Sequence, residues 1–158
     1  MNFDHTEHFS PEELQLYQKG LEIFDTVHLI AELIPPEDKH LNIVKDQMLG
    51  DALILSTKVS GAAVMDMYDL KMESATLIRK AARDLMVQNH ALEMYGFKEV
   101  DYFQMVRDLI EEFRLLFIDW VKTFDPWDYE IDRWGLFNPP GVSPFDHDPD
   151  EDLPRDDE

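Results

Sequence analysis

The feature that most constrains the fold is a series of large apolar residues spaced alternately three and four positions apart in the second half of the chain. The series is Phe103, Val106, Ile110, Phe113, Phe117, Trp120 and Phe124. A strand repeats every two residues, so this spacing predicts an α-helix over about residues 100–124. Because the alternation is that of a coiled-coil seam, we expect the apolar face to pack against other helices.

A first helix is predicted to begin at Ser10, because Ser10 with Glu13 has the pattern of a capping box. The pair Pro35-Pro36 is expected to end it. The segment carries two apolar stripes, of which one is Leu14, Tyr17, Leu21, Phe24, His28 and Ala31, and the other Leu16, Ile23, Val27, Ile30 and Ile34. Two stripes on one helix predict more than one buried face, and the second supports a contact between subunits.

Two more helices are predicted between these, over about residues 38–64 and 69–95. Gly50 and Gly61 in the former are expected to allow close helix approach. Gly96 is expected to end the latter as a C-cap. Because the connections are short, the prediction is an all-α, up-down-up-down antiparallel four-helix bundle over residues 10–125, preceded by a flexible N-terminus over residues 1–9.

The C-terminal part has a different composition from the helical part. Residues 126–144 are aromatic and broken by proline, and residues 145–158 are acidic. We expect the former to be an extended segment packed on the bundle or on a neighbouring subunit, and the latter to be disordered. The side chains expected to form this latch are Trp127, Tyr129, Ile131, Trp134 and Phe137.

The net charge of −20 bears on the class of partner. An acidic surface repels phosphates and anionic lipids, which argues against direct binding of nucleic acid and favours basic protein partners. Cysteine is absent, which excludes disulfides and zinc–thiolate sites. No signal-peptide pattern or membrane-spanning apolar run is found, so we expect a cytoplasmic protein without a membrane partner.

One basic cluster stands out, namely Lys71, Arg79, Lys80 and Arg83 in the third predicted helix. Arg79 and Arg83 share a helix face because they are four residues apart. Two interpretations remain open. The cluster either pairs with acidic residues of neighbouring helices or subunits, or contacts RNA or an acidic partner surface.

The sequence assigns no catalytic residue, no metal site and no cofactor, and we expect a protein that is not an enzyme. The alternative is a metal-dependent hydrolase with a carboxylate site made from Glu22, Asp25 and His28 in the first helix. A third hypothesis is an acidic binding protein that mimics nucleic acid and occupies a basic protein.

The helical half resembles a family of small bacterial four-helix-bundle proteins. The resemblance covers about residues 12–125 and rests on short matches in all four helices. In the first two helices, these are residues 14–20 (LQLYQKG), Ile34-Pro35, Gln47, Ala52 and Gly61. In the last two, these are Ile78-Arg79, Arg83, Leu85, Leu109-Ile110, Glu112, Phe113 and Trp120-Val121. The family comprises proteins encoded in ribosomal RNA intervening sequences and accessory variability determinants of diversity-generating retroelements.

The resemblance implies a non-catalytic bundle that assembles into a homo-oligomeric ring, typically a pentamer. In retroelements such a ring binds the reverse transcriptase and the template RNA, and in this way it is similar to a cofactor of complementary-DNA synthesis. It implies a contact role for Arg79 and Arg83. The family's accessory proteins are characteristically basic, whereas this chain is strongly acidic. We therefore expect an oligomeric scaffold that binds a basic protein such as a reverse transcriptase.

Overall fold

The computed structural model describes residues 5–148 and contains five α-helices. They are α1 (Pro11–Ala31), α2 (Lys39–Ala63), α3 (Tyr68–Met86), α4 (Gln88–Met94) and α5 (Phe103–Val121). A 3₁₀ turn, Val100–Tyr102, precedes α5, and no strand occurs in the described part of the chain. The predicted all-α four-helix bundle is confirmed, with α1, α2, α3 and α5 as its long helices.

The core forms where the apolar faces of these helices meet. Helix α1 packs against α2 and α5, and α2 packs against α3, whereas α3 and α5 contact each other less closely. The predicted seam of α5 faces this core. Phe103, Val106, Ile110, Phe113, Trp120 and Phe124 are buried, and Phe117 is half-buried. Outside the core, Lys19 of α1 donates a hydrogen bond to Glu112 of α5 at 3.0 Å.

Helix α1 begins with the predicted capping box. The backbone N–H of Glu13 donates to Ser10 Oγ at 3.2 Å, and the backbone N–H of Ser10 donates to Glu13 Oε1 at 3.0 Å. Each side chain thus satisfies an N–H group that the first turn of a helix leaves without an intrahelical partner.

Replacing Ser10 by alanine is expected to lower the free energy of unfolding by about 1 kcal/mol, because the Glu13 N–H loses its acceptor. Urea denaturation followed by circular dichroism measures this change. Ser10→Asp retains a capping acceptor and is expected to keep nearly wild-type stability. Equal losses in the two variants would contradict the capping role.

Only one of the two stripes of α1 is buried. Leu16, Ile23, Val27, Ile30 and Ile34 are at most 4% exposed. In the other stripe Ala31 alone is buried, and Leu21 and His28 are exposed. The stripe that was expected to form an intersubunit contact is therefore the one that builds the protomer core.

Two local expectations require correction. The third predicted helix is divided at Val87, which lies outside helical geometry with φ −97° and ψ 1° and separates α3 from α4. The close helix approach occurs at neither Gly50 nor Gly61, because a Cβ at either position would have open space around it. It occurs at Gly20, where a Cβ would lie 2.7 Å from the carbonyl oxygen of Leu55.

Gly96 is the helix terminator that the sequence predicts. Its φ of 76° lies in the left-handed region that glycine adopts without a steric penalty. The N–H of Phe97 donates to the Leu92 carbonyl at 2.9 Å, which closes the end of α4, and the Phe97 side chain enters the core.

The segments flanking the bundle both contact it. At the N-terminal side, His5 Nε2 lies 3.0 Å from the Tyr17 hydroxyl, and the Phe9 ring packs edge-on against Tyr17. At the C-terminal side, the N–H of Tyr68 donates to the Asp128 carbonyl at 2.7 Å. Most of the acidic end that was expected to be disordered, residues 149–158, lies outside the described residues.

No helix within residues 5–148 is both long and apolar enough to span a bilayer.

Candidate interaction surfaces

The four basic residues singled out in the sequence lie on α3 but have different partners. The Lys71 ammonium lies 5.4 Å from the centroid of the Phe124 ring, and Lys80 forms a salt bridge with Asp84. Arg79 and Arg83 are both exposed and form no ion pair within residues 5–148. In a strongly acidic chain, two adjacent arginines without carboxylate partners are available for contacts outside the protomer.

Arg79 and Arg83 lie at the rim of an apolar groove between α3 and α5, which we call the α3–α5 groove. Its volume is about 330 Å³. Its lining comprises Arg79, Ala82, Arg83, Met86, Ile110, Glu111, Phe113, Arg114, Phe117 and Ile118. The groove exists because α3 and α5 pack less closely than the other adjacent helix pairs. Arg114 is paired with Glu111 at 3.0 Å, so the unpaired positive charge of the rim comes from α3.

A second surface is the loop of residues 132–138, which we call the Asp132 loop. The Asp132 carboxylate accepts hydrogen bonds from the backbone N–H groups of Trp134, Leu136 and Phe137 at 2.8–3.0 Å. The Asn138 side chain closes the loop, because its Oδ1 accepts from the Asp132 N–H and its Nδ2 donates to the Asp132 carbonyl. Gly135, at φ 76°, makes the tight turn.

These hydrogen bonds hold the pKa of Asp132 below its usual range, with the bond from Phe137 N–H as the largest cause and those from Leu136 and Trp134 adding to it. A depressed folded-state pKa means that the stabilisation is present above the unfolded value of about 3.9. It is lost as the pH falls through the folded-state pKa. At neutral pH the ionised Asp132 carboxylate therefore stabilises the loop through these hydrogen bonds.

Removing the carboxylate in Asp132→Ala is expected to speed tryptic cleavage after Arg133 several-fold, because the three N–H groups lose their common acceptor and the loop opens more often. In the wild type the Arg133 guanidinium donates to the carbonyls of Pro144 and Asp146, which also protects this bond. Mass spectrometry of timed digests measures the rate. Asp128→Ala leaves these bonds intact and serves as the control, and equal rates in both variants would contradict the account.

The loop is ordered, yet it displays large apolar side chains. Trp134 is 92% exposed and Leu136 is 75% exposed. Both line a shallow depression with Asp69, Leu70 and Glu73 of α3, which fixes where the loop lies on the bundle. Of the predicted latch residues, Tyr129, Ile131 and Phe137 are half-buried, whereas Trp127 and Trp134 are exposed. Three of the five latch side chains are thus partly covered by the protein, and the two tryptophans face solvent.

Two residues of the hydrolase hypothesis, Glu22 and His28, have other partners, and Asp25 is exposed. Glu22 accepts a hydrogen bond from Lys19 at 2.7 Å, and this bond is the largest cause that raises the pKa of Lys19. His28 Nδ1 lies 3.5 Å from Glu32 on the same exposed face. Within residues 5–148, no three histidine, aspartate or glutamate side chains gather in a group that could hold a metal ion.

A wide cleft of about 850 Å³ lies between α2 and the α3–α4 segment. Asp46, Asp51, Asp84 and His90 are among its lining residues. Partial burial raises the pKa of Asp51, and the nearby charge of Asp84 adds to this effect. Asp84 is already paired with Lys80. The described side chains of this cleft therefore do not include three histidine, aspartate or glutamate groups placed to hold a metal ion.

Sequence reasoning identified Trp134 and Phe137 but missed the central role of Asp132. A signal was present, because an aspartate followed by Gly135, Asn138 and Pro139 combines several turn-forming residues. The alternation of apolar and acidic residues just before it instead favoured an extended segment. The α3–α5 groove had no sequence signal, because it depends on the distance between two helices.

Comparison with known proteins identifies no relative of this chain. No protein-family model matches the chain, and neither the curated proteins nor the solved structures contain a significant match.

Proposed function

We propose that this chain is a non-catalytic, homo-oligomeric helical-bundle scaffold that acts through protein contacts. In this proposal it works like an accessory variability determinant of a diversity-generating retroelement and binds a basic protein such as a reverse transcriptase. A ring of five subunits is the assembly that the resemblance implies. The observation that carries the proposal is the ordered Asp132 loop, which holds Trp134 and Leu136 in solvent.

An ordered loop with exposed large apolar side chains is suited to binding another protein. Exposed apolar patches on soluble proteins mark interaction sites, and tryptophan is enriched among the residues that dominate binding energy. Because three backbone N–H groups already bind Asp132, less conformational entropy is lost on binding than for a flexible segment. The loop is therefore preorganised for recognition.

The charge around the loop supports a basic partner. Residues 126–148 contain five acidic residues and one arginine. Such a surface attracts a positively charged protein over long range and repels nucleic acid. The acidic segment around the Asp132 loop thus favours contact with a basic protein, whereas the arginine rim of the α3–α5 groove favours contact with an acidic surface.

Binding to a purified retroelement reverse transcriptase, measured by biolayer interferometry at rising salt, tests the proposal. A small basic protein of unrelated fold, such as cytochrome c, is the charge control. We expect selective binding of the reverse transcriptase that persists at 1 M salt, where screening reduces the Debye length to about 3 Å. Equal binding of both basic proteins that disappears in salt would favour the acidic mimic instead. Absence of reverse transcriptase binding would overturn this choice of partner.

A further inference from the structure

We propose that the Asp132 loop of one copy docks into the α3–α5 groove of a second copy, so that the chain associates head to tail. This inference rests on the proposed function, because it supplies a contact by which the scaffold assembles. Trp134 and Leu136 are the inserted side chains, and Arg79 and Arg83 are the rim residues that receive them.

The loop of a protomer does not line its own groove. It is fixed beside the beginning of α3 by the Tyr68–Asp128 hydrogen bond and by the depression that it shares with Leu70 and Glu73. Glu73 in that depression and Arg79 at the groove rim are six residues apart on α3, which corresponds to about 9 Å along the helix axis. The hydrogen bonds of Asp132 and Asn138 hold the loop closed in this position, so the groove of each molecule is left open to the loop of another.

The two surfaces match in shape and polarity. The groove is apolar, and its volume of about 330 Å³ is at the lower end of the range of about 300–1,000 Å³ for binding clefts. This size suits one or two side chains. The loop offers one indole and one leucyl side chain that are separated by a single residue, Gly135. Insertion would remove from water the two most exposed apolar groups of the loop.

The charges also match. Arg79 and Arg83 at the rim have no ion-pair partner within residues 5–148. Asp128 and Glu130 come immediately before the loop in the sequence and carry negative charges. An arginine guanidinium both stacks on an indole face and pairs with carboxylates. The acidic residues next to the loop thus complement the charge of Arg79 and Arg83. Within residues 5–148, these are the only two exposed arginines on a helix without an ion-pair partner.

A contact between two different surfaces of one protein has a distinctive consequence. Each copy offers one loop and one groove, so association continues until a ring closes or a filament grows. A copy with a defective loop and a copy with a defective groove still share one intact pair of surfaces. Mixing them is therefore expected to give a dimer, although neither variant associates alone.

The experiment compares native masses by light scattering for the full-length chain and two double variants. The loop variant is Trp134→Ala with Leu136→Ala, and the groove variant is Arg79→Glu with Arg83→Glu. We expect an assembly for the wild type, the monomer mass of 18.6 kDa for each variant alone, and twice that mass for their equimolar mixture. Dimer formation in the mixture also shows that both variants are folded.

Two controls make comparable changes elsewhere, one a double charge reversal and the other the loss of an exposed apolar side chain. Lys39→Glu with Lys58→Glu reverses two exposed charges on α2, and Ile43→Ala removes an apolar side chain that is 58% exposed. Both controls are expected to keep the wild-type mass.

The outcomes that overturn the inference are distinct from one another. A wild-type assembly that both double variants retain would overturn the loop–groove contact and leave the oligomeric scaffold standing. A wild type that is monomeric at every concentration would overturn both, and would be the result if the groove were occupied within one chain. Monomeric variants that fail to dimerise on mixing would overturn the head-to-tail arrangement.

Discussion

Replacing Trp120 by alanine is expected to lower the free energy of unfolding by about 3–5 kcal/mol, the range for deleting a large aromatic side chain from a core. Trp120 is fully buried at the end of the α5 seam. Its ring packs edge-on against Phe124 at a centroid distance of 4.7 Å and against Phe117 at 5.8 Å. Deletion leaves a cavity in the core near the C-terminal end of α5. A fall in melting temperature of roughly 6–20 °C follows for a protein of this size.

Two control variants separate burial from chemistry. Trp127→Ala makes the same change at a side chain that is 64% exposed and is expected to alter stability by about 0.5 kcal/mol or less. Trp120→Phe retains a ring and removes the buried indole N–H, which has no hydrogen-bond partner in the described structure. It is expected to cost much less than alanine. Thermal unfolding followed at 222 nm measures all three, and similar melting temperatures for Trp120→Ala and Trp127→Ala would contradict the assignment of the core.

Replacing Gly20 by valine is expected to destabilise the bundle by about 3 kcal/mol, at the upper end of the usual cost of overpacking. A Cβ at this position would lie 2.7 Å from the Leu55 carbonyl oxygen and 2.9 Å from its carbon. These are backbone atoms of α2 and cannot rotate away. The substitution therefore forces α1 and α2 apart along an interface on which the rest of the core depends.

A matched pair of alanine substitutions isolates this effect. Gly20→Ala meets the same backbone atoms, whereas Gly50→Ala in α2 has open space around its Cβ. Because alanine is the better helix former, Gly50→Ala is expected to stabilise the protein by about 0.5–1 kcal/mol. Gly20→Ala is expected to destabilise it, since the clash exceeds that gain. Chemical denaturation gives both values, and stabilisation by both variants would show that α1 and α2 do not approach closely at Gly20.

The contrast between these glycines shows how far the sequence predicts the fold. The spacing of Phe103 to Phe124 predicts α5 because burial of a helix face leaves a periodic record in one segment. Ser10 and Gly96 are equally local signals, and the structure bears out both. Which glycine lies against another helix depends on the register of two helices, and no local pattern encodes it.

The candidate surfaces likewise depend on both local sequence patterns and the packing of helices. The cluster at Arg79 and Arg83 was visible in the sequence because four-residue spacing places the two on one face. Whether these arginines are paired depends on which carboxylates the bundle brings near them, and in the structure Lys80 takes Asp84 instead. The α3–α5 groove arises from the same kind of tertiary arrangement. The break at Val87 likewise has no glycine or proline to signal it.

The central claim is that the chain is an oligomeric scaffold rather than a metal-dependent enzyme. Its most direct test is the native mass of the full-length protein by size-exclusion chromatography with light scattering and in-line metal detection. The account predicts a metal-free assembly, with five copies of the 18.6 kDa chain as the expected size. A monomer that carries one or two equivalents of metal would contradict it and would make the site at Glu22, Asp25 and His28 the leading hypothesis.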